Sequence, residues 1–453
     1  MTLLRTPLSV APAPPARRDR SIDLLRAACI VVVVLLHATM AGIAVADGAP
    51  VIRNALDEPW FAPVSWVLQI MPLFFLAGGV TGLGAWRRAA ARGERAAAFA
   101  ASRVVRLIRP AVAAFAAIGA ALAVLSIAGV PADLVAEAGF RISQPMWFLG
   151  VFVLVQALVP LAARAHDREP AASAVALVVA VAAIDATRYV TGADAVGMLG
   201  LAAVWLAVQQ AGFWLADGAF DRITPRARLV AAGALLLALG VMTGLGPYPA
   251  DMYVGLNPPT LALVVLGVAQ ALVFSVGQPA MRRWADLPAL RGIVDRLGTL
   301  SMTIYLWHMP VVIALAGAGL ALGLAGAVDL PEIHSAAWWL GRPAWLALAL
   351  VATLIVASRA ARFDRGGAAS PGIRSGRAAA AVAAGVIAVA LPLVAGLGWL
   401  TAALSAGLAA AAVALAGDSP RPRLRGDRMA HKNPTEQDGI VTIDSERRIP
   451  WRF

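Results

Sequence analysis

The chain has 453 residues, 60% of them hydrophobic and only 14% charged, with a mean hydropathy of +0.76. Soluble globular proteins run to about 25% charged and about 45–50% apolar residues, so this composition excludes an ordinary soluble enzyme, a disordered chain and, with Cys29 as the lone cysteine, a disulfide scaffold. It leaves an all-α, polytopic membrane protein, and the net charge of +12 belongs, by its distribution along the chain, to membrane orientation and not to a nucleic-acid partner.

A helix needs about 20 apolar residues to cross a bilayer. By that measure residues 22–45, 62–84, 108–130, 146–163, 172–190, 196–216, 229–246, 259–280, 298–325, 343–358, 378–399 and 401–416 form twelve spans. Alternate loops then carry 33 of the 38 basic residues on one side and four (Arg53, Arg141, Arg188 and Arg342) on the other, with Arg26 inside a span. The positive-inside rule makes both termini cytoplasmic. The expected location is a bacterial inner or plasma membrane, crossed many times, with membrane lipid as the surroundings. Ala44-Val45-Ala46 before Asp47 resembles a signal-peptidase site. The apolar run ahead of it exceeds the usual length of about 7–15 residues, and cleavage would leave an odd number of spans, so the first span is expected to be retained.

In chain order, the organisation is a cytoplasmic segment 1–21, a ten-span unit 22–360, and a Gly-, Ser- and Pro-containing cytoplasmic linker 361–377. A two-span appendage 378–416 and a polar, basic tail 417–453, expected to be disordered, complete it. No internal repeat and no matching pair of broken spans is visible.

An ionisable side chain within lipid is costly, which makes each one a functional candidate. In the first span Asp23, Arg26 and His37 stand out. Arg26 and His37 are eleven residues apart, about 20° beyond three full turns, so they share a face with about 16 Å between their levels. That puts Arg26 at the cytoplasmic surface, within reach of Asp23 one turn away, and His37 near the midplane. On the outer side Asp57-Glu58-Pro-Trp60 precedes the second span and Gln144-Pro-Met-Trp147 opens the fourth. Carboxylates beside aromatics suit a sugar, although aromatic belts share that composition. The third span starts with Arg103, Arg106 and Arg109, an arginine cluster at the cytoplasmic boundary that suits a polyphosphate. In the ninth span Ser301, Tyr305 and His308 form one polar stripe, followed by Pro310.

Together these segments resemble the acyltransferase-3 family of integral-membrane O-acyltransferases. The matching residues are Arg20, Asp23, Arg26 and His37; the run Met71-Pro-Leu-Phe-Phe-Leu-Ala-Gly-Gly79; Arg103, Arg106 and Pro110; Trp147-Phe-Leu149; and Ser301, Tyr305, His308 and Pro310. They come in the family's order over about residues 18–360. Three features depart from the pattern: Arg109 is extra, so the arginine pair is either Arg103/Arg106 or Arg106/Arg109; Ala77 stands where many members have Ser; and residues 363–453 are too short for the esterase-like domain that some members carry. The resemblance implies transfer of an acyl group, usually acetyl, from cytoplasmic acyl-CoA to a hydroxyl, often on a sugar, with no metal. It implies that His37 carries catalysis and that the arginine pair handles the donor. On this reading His37 is a general base, and His308, Tyr305 or Ser301 orients the acceptor or stabilises the oxyanion. Arg26, Arg103, Arg106 and Arg109 hold the acyl-CoA phosphates, while Asp23, Trp147 and Glu58 face the substrate. The competing reading is a proton-coupled secondary transporter working through midplane histidines.

Overall fold

The computed structural model describes residues 19–364 and 367–417. The expected terminal segment up to residue 18 and the expected disordered tail from residue 418 lie outside them. Helix α1 (Arg20–Met40) is followed by a hairpin of β1 (Ala41–Ala46) and β2 (Ala49–Asn54). Then come α2 (Phe61–Leu68), α3 (Met71–Ala91), α4 (Ala96–Ile127), α5 (Ala132–Ser143), α6 (Trp147–Ala157), α7 (Val159–Arg168), α8 (Pro170–Thr191), α9 (Asp194–Gly197) and α10 (Gly200–Ala216). The chain continues through α11 (Pro225–Gly244), α12 (Leu261–Asp286), α13 (Pro288–Leu324), α14 (Ala336–Ala360), α15 (Ser375–Val394) and α16 (Trp399–Ala416). Among the described residues, twelve helical stretches are long and apolar enough to cross a membrane, which makes the protein a polytopic helical bundle.

Three departures from regular spans shape the site. First, α1 ends at Met40, five residues short of the expected span. Asp47 and Gly48 adopt positive φ (52° and 71°) and turn the chain into the antiparallel hairpin, pairing Ala46 with Ala49 and Ala41 with Asn54. An Asp-Gly pair fits such a two-residue turn because both positions need φ > 0. Second, the second span breaks at Gln69–Ile70 before Pro72, and Gln69 is held by its own amide to Met252 O at 3.0 Å. Third, the fourth span breaks in a 3-10 turn at Gln144–Met146, around Pro145. Both breaks fall in the first third of the chain, not at corresponding places in two halves. Irregular backbone at membrane depth survives where it is buried or lines a cavity, and these breaks do the latter.

Elsewhere the helices meet closely. A Cβ on Gly79 would run into the Gln209 carbonyl oxygen, and one on Gly212 into that of Leu76, so the Gly78-Gly79 pair lets α3 and α10 touch backbone to backbone. The last two spans lie against α4 and α6 and share one hydrophobic core with the earlier helices. Ala402, Ala409, Ala412 and Ala416 are fully buried, and Gly119 on α4 faces Ala402. The segment expected as a flexible linker is tied down: Thr303 donates to Asp364, Arg95 to Ile373 O, and the Arg109 guanidinium sits where a side chain on Gly367 would project.

The helix ends opposite the hairpin are clamped by ion pairs. Asp19 caps α1, accepting from Ser21, and receives two bonds from Arg282 and one from Gln278. Arg87 bonds Asp217 and Asp167, and His166 Nε2 donates to Asp217 at 3.0 Å, which joins α3, α7 and α10.

Candidate active site

The imidazoles of His37 and His308 meet where α1 packs on α13, with ring centroids 4.9 Å apart at an interplanar angle of 57°. Each ring is held the same way. His37 Nδ1 lies 2.8 Å from Val33 O, and His308 Nδ1 lies 2.6 Å from Tyr305 O. A carbonyl can only accept, so both Nδ1 atoms carry the hydrogen, and each Nε2 keeps a lone pair while the ring is neutral. His308 is fully buried, and its Nε2 has no hydrogen-bond partner among the described residues.

His37 forms part of the wall of a cavity of about 270 Å³. The cavity reaches from the last turn of α1 to the outer loops. Its polar lining is Asn54 and Asp57 after the hairpin, Gln144 at the break in the fourth span, and Asp251, Tyr253 and Asn257 in the loop before α12. Trp147, Phe61 and Phe148 supply aromatic surface. Tyr305 also lines it, fixed by an edge contact with Phe148 (5.2 Å) and by donating its hydroxyl hydrogen to Pro145 O at 2.8 Å. Tyr253 donates to Leu68 O, and burial together with neighbouring Asp251 pushes its phenol well above the ordinary range, so it stays neutral.

The expected residues therefore divide into groups. His37, His308, Tyr305 and Trp147 come together. His37 sits in the last turn of α1 and not near the middle of the span, because the helix ends early. Ser301 lies almost two turns before His308 and donates to Gly298 O. Glu58 points to His334, at 3.3 Å, and its neighbour Asp57 lines the cavity instead. Asp251, Tyr253 and Asn257 were not anticipated. They lie in a loop whose fold over α2 depends on Trp66 and Gln69 bonding Ala250 O and Met252 O.

At the cytoplasmic end Asp23 is buried and Arg26 half-buried on α1. Arg103, Arg106 and Arg109 lie in the first half of the long helix α4. Arg103 stacks on Phe99 at 4.3 Å with its Nε buried, Arg106 is exposed, and Arg109 packs against the Gly367 backbone.

A helical bundle that carries two facing, Nδ1-protonated histidines beside a polar cavity, and arginines toward its opposite end, is a membrane protein equipped for acid–base chemistry on a bound substrate. The chain belongs to the acyltransferase-3 family: the family model described as an acyltransferase domain matches residues 19–358. It is thus a multi-pass membrane acyltransferase. Comparison with curated proteins and with solved structures finds no match.

Proposed function

We propose that the protein is an O-acyltransferase that takes an acyl group, acetyl foremost, from cytoplasmic acyl-CoA and transfers it to a hydroxyl of a carbohydrate-bearing acceptor held in the outer cavity. The observation that carries this reading is the His37 ring, with its basic Nε2, in the wall of a cavity rich in amides, carboxylates and aromatic faces.

Arg26, Arg103 and Arg106 bind the nucleotide phosphates at the cytoplasmic end, where guanidinium and phosphate pair without entering lipid. Arg109, packed on Gly367, supports the loop and leaves the earlier pair to the donor. The pantetheine arm carries the thioester toward His37, about 16 Å along α1 from Arg26. The acceptor hydroxyl gives its proton to His37 Nε2 as its oxygen bonds to the thioester carbonyl carbon. The C–S bond then breaks, and the departing thiolate takes that proton from His37, leaving ester, free CoA and a neutral imidazole. His308 Nε2, facing His37 across the ring contact, accepts a hydrogen bond from the protonated ring and stabilises it.

The test is purified full-length protein in liposomes without any ion gradient, supplied with radiolabelled acetyl-CoA and envelope glycans and lipids. Thiol release with label in a carbohydrate-bearing product is expected. A protein that binds no acyl-CoA and releases no thiol, while moving protons down an imposed gradient, would instead be the transporter.

A further inference from the structure

The cavity at His37 does not end there. It continues into a neck of about 40 Å³, in whose lining His37, Met40 and Gln144 recur and Arg53 and Arg141 join them. Beyond the neck lies a groove of about 790 Å³ between α4, α5 and α13; neck and groove share Ile43, Ile52, Arg141, Ile313 and Ala316. The groove walls are hydrocarbon apart from Glu137 and Arg141, which pair with each other at 2.6 Å.

We propose that the acceptor is an amphiphile whose long hydrocarbon chain lies in this groove, whose phosphate link sits in the neck against Arg53 and Arg141, and whose hydroxyl-bearing head fills the cavity at His37. This rests on reading that cavity as the acceptor site. Three observations carry it. The groove has about three times the volume of the head cavity and is apolar apart from the Glu137–Arg141 pair. Only four arginines lie on the outer side of this chain, and two of them converge on the neck, where orientation signals are not needed. Glu137 offsets one charge, so the neck carries about one net positive charge, which matches a phosphodiester. A long acyl chain extending from the donor is the rival occupant. It would have to press hydrocarbon past the Arg141 guanidinium and the Arg53 side chain, whose Nη2 also reaches Ile333 O at 3.4 Å, in a space of about 40 Å³, whereas a phosphate there gains charge-assisted hydrogen bonds.

The test uses the full chain in nanodiscs and two photoprobes, octadecyl phosphate and octadecanol, each with a diazirine midway along the chain. The phosphate probe is expected to label peptides covering 118–125 and 313–324 about tenfold more than the alcohol, with inorganic phosphate failing to compete. Arg53→Gln with Arg141→Gln should bring the phosphate probe down to the level of the alcohol, a tenfold loss that corresponds to about 1.4 kcal/mol. Gly317→Phe should block both probes in the groove. A Cβ on Gly317 meets nothing within 4 Å, and losing a mid-helix glycine favours the helix, so this variant folds; Ala121→Phe, on the opposite wall, repeats the block. Equal labelling by both probes, labelling spread over the mostly exposed helices α8 and α11, full competition by inorganic phosphate, or persistence in the blocked variants would overturn the proposal. His37→Gln separates the two readings. Selective capture with undiminished acyl transfer in that variant defeats the catalytic reading and leaves the groove standing. Loss of transfer without selective capture in the wild-type protein does the reverse.

Discussion

His37→Gln tests chemistry apart from packing, because the structure gives the two ring nitrogens different duties. Nδ1 holds the ring to Val33 O within α1, which leaves the lone pair of Nε2 for the proposed role of base. Glutamine keeps a donor and a similar volume but cannot take up a proton near neutral pH. Loss of a general base costs about 10²–10⁴-fold in rate. In the proposed mechanism His308 acts through His37, since it faces that ring at 4.9 Å and is absent from the lining of the cavity. Removing it forfeits one hydrogen bond to the protonated ring, about 1.5–3 kcal/mol or roughly ten- to a hundredfold in rate.

The sharper measurement is the pair. If His308 works through His37, the double variant His37→Gln/His308→Gln transfers no more slowly than His37→Gln alone, since the second group has no imidazolium left to stabilise. The assay is single-turnover transfer of radiolabelled acetyl at saturating donor, with donor binding and thermal stability measured on the same preparations. The pH profile of transfer should lose its acid limb in His37→Gln. Transfer by His37→Gln within a few-fold of the parent would refute the base assignment. Multiplicative losses in the double variant would show that His308 touches the substrate itself.

Four further outcomes follow from the packing and charges. Gly79→Leu should destabilise the bundle by at least about 1–3 kcal/mol, read as thermal stability in detergent, because its side chain meets the α10 backbone at Gln209; tolerance of leucine would contradict that approach. Hydrogen bonding from Arg87, then from His166, holds the Asp217 carboxyl below the usual carboxylate range, so the clamp is intact above about pH 4 and is lost as pH falls through that depressed value. Asp217→Asn should remove this acid-side loss of thermal stability, and an unchanged acid limb would dismiss the clamp. A chain ending at residue 366 should fail to give a monodisperse, donor-binding protein, since α4 would lose the cover of α16; co-expression of residues 367–453 should restore it, and a stable truncation would show that the cover is dispensable. Reporter fusions at residues 50 and 255 should score outside and those at 95 and 290 inside, and a cytoplasmic score at residue 50 would invert the whole orientation.

The spans were legible because hydropathy needs no partner to be read: all twelve stretches exist near their expected places. The ends were less so. The Asp47-Gly48 turn is a strong local hairpin signal, but the apolar run Ala41–Ala46 satisfies a helix as well as a strand, and only pairing with Ala49–Asn54 decides. The His37–His308 contact joins residues 271 positions apart, so the sequence could nominate each histidine but not their meeting. Glu58 and Asp57 are equal candidates by composition; the backbone after the hairpin turns one to His334 and the other to the cavity. The last two spans looked separable because a Gly-rich segment precedes them, yet small residues such as Gly119, Ala402 and Ala409 are also what close helix packing requires.

The hairpin, the break at Gln69–Ile70, the break at Gln144–Met146 and the loop at 251–257 all border the cavity with His37, whereas the opposite end of the bundle is held by the ion pairs Asp19–Arg282 and Arg87–Asp217. Broken backbone in a membrane frees carbonyls and amides that must be satisfied locally, and here Tyr305, Gln69 and Tyr253 satisfy Pro145, Met252 and Leu68. Those bonds fix the lining while leaving the side chains of Asn54, Asp57, Gln144 and Asn257 turned to the cavity. The proposed reaction fits this division: the arginine-bearing end would meet a CoA thioester, the same in every turnover, while the built, polar end would select an acceptor by its shape and hydroxyl.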